Sequence, residues 1–155
     1  MAFTAQDVKK LREMTNVGMM DCKKALVETE GDIQAAIDIL RKKGIAKAAK
    51  RADRTAAEGC VLSKCSEDHT YGAVIMLNCE TDFVAQNADF VAFTREMLDF
   101  AVANRIKDIE ALKAAKLGDI TVETRLTDEG AKTGEKTVME KMMKKVALEA
   151  HLGLE

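Results

Sequence analysis

Apolar residues recur at steps of three and four through the first 44 residues, which is the pattern of amphipathic helices. Thr4 followed three residues later by Asp7 predicts the capped start of a first helix. A second helix is expected at about 19–29. Asp32 is the expected N-cap of a third helix, which Gly44 should end. The pattern therefore predicts three short helices.

The periodicity changes beyond Gly59. Residues 60–65 and 71–79 are strand-like stretches on either side of a polar turn, which predicts a β-hairpin. Asn87 or Asp89 should then open a helix whose apolar stripe packs on the inner face of the hairpin. The stripe consists of Phe90, Phe93, Met97 and Phe100.

The last third of the chain has a weaker pattern. A short helix with Ile109 and Leu112 is expected to end at Gly118, and residues 120–126 fit either a strand or a further helix. From Val138 onward apolar residues fall at helical spacing, which predicts a final helix. They are Met139, Met142, Met143 and Val146.

These elements predict an α+β fold with three parts. Residues 1–44 form a three-helix module of the size of ubiquitin-associated domains, and residues 45–59 form a basic connecting helix. Residues 60–155 form an α+β core in which helices cover an antiparallel sheet.

The composition is that of an ordinary globular protein, with 47% hydrophobic and 32% charged residues and a net charge of −2. No apolar run approaches the roughly 18 residues that a membrane span needs, so no membrane association is expected. The N-terminus lacks a basic-then-apolar signal, which favours the cytoplasm. The four cysteines should then be reduced, buried structural thiols.

The segment 41–54 carries seven basic residues against one acid. Such a stripe can bind phosphate, but nucleic-acid recognition would require interleaved aromatic residues or a known motif. The segment is rich in alanine instead, which favours a connecting helix with a solvated basic face and no direct contact with nucleic acid.

No catalytic constellation or phosphate-binding loop is recognisable, so we expect neither an enzyme nor a cofactor. Cys60, Cys65, His69 and Cys79 could be imagined as a zinc site, but their spacing matches no common ligand pattern, and no metal is expected.

Two features favour a binding protein. Asp82 and Phe83 follow an apolar strand, and a turn that leaves both at the surface avoids burying an unpaired carboxylate. The alternative is that Phe83 is a core residue and Asp82 caps the next helix. Met19 and Met20 are adjacent at a helix start, where both can hardly enter one small core, so they form either a binding surface or loose core packing.

Two stretches resemble bacterial translation elongation factor Ts. Residues 15–26, together with 31–33 and 36–37, are similar to its N-terminal signature, and residues 78–85 are similar to its Thr-Asp-Phe-Val motif. The likeness covers residues 4 to about 115. The chain departs from the family pattern after Lys136, as a short or truncated member would.

The resemblance implies a guanine nucleotide exchange factor that promotes GDP release from elongation factor Tu during translation elongation. The partner would be bound in its GDP-bound and nucleotide-free states. By match, Thr81 and Val84 would hold a turn, and Phe83 would wedge two partner helices apart. Asp82 would help to displace the partner's Mg²⁺, and Met19 and Met20 would dock on the partner. Whether the chain forms a homodimer stays open.

Two other functions remain as alternatives. One is a ubiquitin-associated-like adaptor that binds a peptide or helix through its first helix and the turn at Met19 and Met20, with the rest as a scaffold. The other is an enzyme that uses its thiols.

Overall fold

The computed structural model describes residues 3–15 and 17–146, and for residues 141 and 143–146 it describes the backbone alone. The helices are α1 Ala5–Thr15, α2 Met19–Glu28, α3 Ile33–Arg51, α4 Asp82–Ala85, α5 Ala88–Ala103, α6 Ile109–Ala114 and α7 Val122–Thr133. The strands are β1 Glu58–Cys65, β2 Tyr71–Cys79, β3 Lys116–Leu117, β4 Ile120–Thr121 and β5 Val138–Val146. The chain divides into two compact units, which we call unit 1 (1–53 and 127–135) and unit 2 (54–126 and 136–155).

Unit 1 has its own apolar core, built from α1, α2 and α3. Thr4 and Asp7 form the predicted reciprocal cap of α1, because each backbone N–H donates to the other side chain, at 2.8 and 3.3 Å. Asp32 caps α3 by accepting a hydrogen bond of 3.0 Å from the Ala35 N–H. Both predicted helix starts are confirmed. The buried core residues are Val8, Leu11, Cys22, Ala25, Leu26, Ala36, Ile37 and Leu40.

The predicted end of α3 at Gly44 is wrong, because the helix continues to Arg51. Gly44 is buried within the helix, and a Cβ placed there would lie 3.8 Å from Thr127 Cγ2. Packing within unit 1 therefore keeps the helix intact through a residue that would otherwise end it. The predicted domain boundaries, after residue 44 and before residue 60, are a separate matter from the end of this helix and stay a prediction.

Unit 2 contains an antiparallel sheet of order β1-β2-β5, so β2 is the central strand. The predicted hairpin of β1 and β2 is confirmed, with Cys65 opposite Gly72. Asn87 caps α5 by accepting hydrogen bonds from the Asp89 and Phe90 N–H groups. The predicted stripe of α5 packs in the core of unit 2, with Phe100 partly buried and the other three residues buried.

The predicted final helix from Val138 is wrong. Residues 138–146 form β5, which pairs antiparallel with β2, and the register places Met142 opposite Ile75. A central strand has hydrogen-bonding groups along both edges, and β5 satisfies the edge that β1 leaves open. Strand pairing therefore overrides the helical spacing of the methionines. The part of this prediction beyond Val146 lies outside the described residues.

Gly118 does not end a helix. α6 ends at Ala114, and Gly118 lies with φ +81° in the turn between β3 and β4. Glycine adopts this left-handed conformation without strain, which explains its position. α7 follows directly, and its buried residues Val122 and Leu126 join the core of unit 2, whereas residues 127–135 belong to unit 1.

The turn between β1 and β2 is organised by the Asp68 carboxylate. It accepts hydrogen bonds from the hydroxyls of Ser66 and Thr70, both at 2.7 Å, and pairs with Arg105 at 2.8 Å. The Ser66 hydroxyl, followed by the Thr70 hydroxyl and N–H, holds the pKa of Asp68 well below its ordinary value of 3.8. The turn is thus stabilised most when Asp68 is ionised.

The architecture is a set of N-terminal helices followed by an antiparallel sheet with helices, which confirms the predicted α+β class. Among the described residues, no helix combines the length and the hydrophobicity that a membrane span requires.

Candidate functional site

The segment from Thr81 to Val84 lies just beyond the end of the central strand, β2. Thr81 is the N-cap of α4, a single helical turn, and its hydroxyl accepts a hydrogen bond of 3.4 Å from the Val84 N–H. Val84 and Ala85 pack partly buried against the core of unit 2. One turn of helix therefore points its second half inward and its first half, Asp82 and Phe83, outward.

Phe83 is the most exposed large apolar side chain among those described, at 83% of its full accessible surface. The alternative in which Phe83 is core and Asp82 is the helix cap is wrong, because Phe83 lies outside the core and Thr81 is the cap. A phenylalanine left in water forgoes the roughly 1.5–3 kcal/mol that full burial would contribute. We call the exposed pair Asp82 and Phe83 the turn tip.

Both flanks of the turn tip are anchored. On one side the buried Cys79 thiol donates a hydrogen bond of 3.2 Å to the Thr81 carbonyl. On the other side the cap at Asn87 starts α5, whose first turn buries Phe90. The turn tip is thus an apolar side chain beside a negative charge, presented by a short segment that is fixed at both ends.

Met19 and Met20 form the first turn of α2 in unit 1, and they are 53% and 68% exposed. The buried residues of α2 are Cys22, Ala25 and Leu26, so the core of unit 1 is complete without the methionine pair. The interpretation of the pair as loose core is wrong. Two flexible thioethers on a surface can adapt to the shape of a bound protein.

The structure does not bring together Cys60, Cys65, His69 and Cys79, the residues considered as a zinc site. Cys60 lies buried on the inner side of β1 and Cys65 is exposed on the same strand, because an odd spacing puts two residues on opposite faces. The prediction of buried thiols is therefore wrong for Cys65. Burial raises the pKa of the Cys22 thiol, which keeps it protonated. Within residues 3–15 and 17–146, no group of three His, Cys, Asp or Glu side chains is placed to hold a metal ion.

Sequence reasoning missed three residues that meet at the base of the turn tip. Glu80 accepts hydrogen bonds from the Arg54 side chain and from the Lys136 backbone N–H. These partners lie 26 and 56 residues away along the chain, so no periodic pattern could connect them. The available signal was an acid directly before the predicted turn.

The chain is similar to known proteins along most of its length. A family model described as Elongation factor TS matches residues 80–153. Elongation factor Ts of Parabacteroides distasonis is 55% identical over 136 residues, which cover 88% of this chain and 41% of that relative. The corresponding protein of Bacteroides thetaiotaomicron is 54% identical over 143 residues, covering 92% and 43%. That of Yersinia pestis is 59% identical over 113 residues, covering 73% and 40%.

The chain thus spans about two fifths of the length of these curated relatives. The match through residue 153 also shows that the expected end of the resemblance near residue 115 is wrong. The residue types after Lys136 indicate a departure from the family pattern, but that segment forms a strand paired with β2. The similarity extends over both the N-terminal helices and the sheet, so the chain is similar to elongation factor Ts over most of its own length.

Proposed function

We propose that this chain promotes release of GDP from elongation factor Tu, as a guanine nucleotide exchange factor acting in the cytoplasm during translation elongation. The observation that carries the proposal is the exposure of Phe83, beside Asp82, on a capped turn of a chain similar to this family. Exchange makes and breaks no covalent bond, so the protein needs a binding surface and no active site.

The turn tip would act by binding the nucleotide-free form of the partner better than the GDP-bound form. Phe83 gains burial only inside a partner, and a cleft that opens between two partner helices would supply that burial. A factor that favours one conformation must weaken the ligand that favours the other by the same coupling. Thr81 and Val84 would hold the turn in the shape that allows this.

Asp82 would contribute through charge. We propose that it approaches the partner's nucleotide site and helps to displace Mg²⁺, which is the largest local charge that neutralises the nucleotide phosphates. Met19 and Met20 would dock unit 1 on the partner and supply affinity, since adaptable apolar side chains suit that role.

The direct test is release of fluorescent GDP from elongation factor Tu, chased with excess unlabelled GDP, while the concentration of this chain is varied. The release rate should rise with concentration and reach a maximum, and a substoichiometric amount should act on many partner molecules. Binding without any acceleration would favour the adaptor function of the methionine pair instead. No binding at all would reject both functions.

The role of Mg²⁺ has its own test. Chelation of Mg²⁺ should speed spontaneous GDP release and shrink the further acceleration by this chain, because the charge to be displaced is already gone. At normal Mg²⁺, Asp82→Asn should likewise shrink the acceleration of GDP release by this chain. Asp119→Asn makes the same charge change in the exposed turn between β3 and β4, and it serves as the control. An undiminished acceleration without Mg²⁺ would contradict this route.

A further inference from the structure

Glu80 occupies the position between the central strand and the cap of α4, and its side chain is only 21% exposed. Its Oε1 accepts a hydrogen bond of 2.7 Å from the Lys136 backbone N–H and one of 3.3 Å from Arg54 Nη1. The Lys136 Nζ in turn donates to the Arg54 carbonyl at 3.1 Å. We call these three residues the clasp, because each is bonded to the other two.

The clasp joins three segments that lie just outside the paired strands of the sheet. Arg54 precedes β1, which begins at Glu58, and Lys136 precedes β5, which begins at Val138. Glu80 follows β2, whose last residue is Cys79. The carboxylate therefore ties the end of the central strand to the approaches of both edge strands, through bonds that its negative charge strengthens.

The clasp is adjacent to the turn tip along the chain. Thr81 follows Glu80 directly, and the cap bond of Thr81 sets where α4 begins. A rotation of the backbone at Glu80 would redirect the whole of a four-residue helix, which has no long hydrogen-bonded body of its own to resist it. The orientation of Phe83 thus depends on whether Glu80 is held.

We propose that Glu80 is a positioning residue, which through Arg54 and Lys136 fixes the direction of the turn tip. The expected effect on GDP release rests on the proposed exchange function, whereas the expected effect on the mobility of the turn tip does not. Loss of the Glu80 charge should leave unit 2 folded and let the turn tip move. Maximal exchange should then fall, because a smaller fraction of the bound complexes holds Phe83 in the productive direction.

The structural part can be measured on the isolated chain. The sequence contains no tryptophan, so Phe83→Trp places a single tryptophan on the turn tip, and excitation near the red edge of its absorption avoids the one tyrosine. The residual anisotropy of this reporter should fall with Glu80→Ala. It should fall less with Glu80→Gln, because an amide oxygen still accepts from the Lys136 N–H but no longer pairs as an ion with Arg54. Glu110→Gln, which removes an exposed charge in α6, should leave it unchanged.

The functional part is measured with Phe83 intact, by GDP release from elongation factor Tu at rising factor concentration. Glu80→Gln should lower the maximal rate several-fold and change the half-saturating concentration much less. Arg54→Gln should have a similar effect, Arg54→Lys should restore most of the rate, and Glu80→Gln with Arg54→Gln should be less than additive. A stability role alone would lower the melting temperature and leave the maximal rate unchanged.

The outcomes separate the two proposals. If the unaltered chain releases no GDP, the proposed function fails, while the anisotropy still decides whether Glu80 holds the turn tip. If the unaltered chain is active and Glu80→Ala changes neither anisotropy nor maximal rate, the positioning role is overturned and the exchange function stands. A more mobile turn tip with an undiminished maximal rate would also overturn it. Should Glu80→Ala not fold, Glu80→Gln and Arg54→Gln carry the same test.

Discussion

Phe83→Ala should lower the maximal rate of GDP release strongly without harming the fold. Phe83 is 83% exposed, so truncation loses about a sixth of a full burial contribution of roughly 1.5–3 kcal/mol, or about 0.3–0.5 kcal/mol. Alanine is also the better helix former, by up to about 0.7 kcal/mol, which offsets the loss within α4. The free energy of unfolding should therefore stay close to its original value.

Phe90→Ala is the matched control within the same segment of the chain. Phe90 is completely buried in the first turn of α5, and the same truncation there should lower the free energy of unfolding by about 3–5 kcal/mol. Thermal melting of the two variants beside the unaltered chain measures both effects. The comparison holds residue type constant and changes only the burial of the ring.

The functional loss should be large. If the partner buries the whole ring only in the nucleotide-free complex, loss of roughly 1.5–3 kcal/mol lowers maximal GDP release about 10- to 150-fold, since 1.4 kcal/mol is a factor of ten. Phe83→Leu should be intermediate. Phe83→Ala combined with Asp82→Ala should be less than additive, because the residues are neighbours on one turn.

Two results would refute the reasoning about Phe83. Melting of Phe83→Ala as low as that of Phe90→Ala would mean that Phe83 packs in the core despite its placement. Full maximal exchange by a folded Phe83→Ala variant would mean that the ring is not the wedge, and the effect would have to come from other residues.

Three further predictions concern the sheet and its turn. Gly59→Ala should destabilise unit 2 by about 1–3 kcal/mol, because the new Cβ would lie 2.6 Å from a backbone carbonyl oxygen of β2. Gly72→Ala is the control, because its Cβ would lie 3.4 Å from the nearest atom and should cause no such loss. Equal melting temperatures of the two variants would contradict this prediction. Because the pKa of Asp68 is lowered in the folded chain, its ionised carboxylate stabilises the fold above pH about 4, and this contribution is lost as pH falls through the folded-state pKa. The melting temperature of the unaltered chain should therefore exceed that of Asp68→Asn by less and less towards pH 2. If this difference in melting temperature stays constant with pH, ionisation of Asp68 does not stabilise the fold. Glu67→Gln is the control variant. A thiol reagent should modify Cys65 fast in the native chain and the three buried cysteines only after unfolding, and Cys65→Ala should remove the fast phase; a persisting fast phase would assign it elsewhere.

Local signals predicted the starts of α1, α3 and α5 and the β1–β2 hairpin. The side chains of Asp32 and Asn87 each bond a backbone N–H within three residues, so the information that starts these helices lies in one short segment. The stripe of α5 likewise follows from helical spacing alone. The sequence predicts the turn tip as a candidate, but the residues around Phe83 are also compatible with its burial.

Features that depend on distant residues were missed. The methionines from Met139 to Met143 have the spacing of a helix, yet they form β5 because β2 presents an unpaired edge more than 60 residues earlier in the chain. Gly44 is the kind of residue that ends helices, but its burial in unit 1 keeps α3 continuous to Arg51.

Hydrogen bonds and side-chain periodicity within a few residues are enough to predict where α1, α3 and α5 begin, where the hairpin turns and which residues are candidates for binding. The exposure of Phe83, the strand formed by the last described segment and the meeting of Glu80 with Arg54 and Lys136 follow only from long-range packing and pairing. Each of these results depends on which segments come together in space. Contacts across 26 or 56 residues leave no periodic pattern in the chain, because they are formed only when the sheet and its connections are assembled.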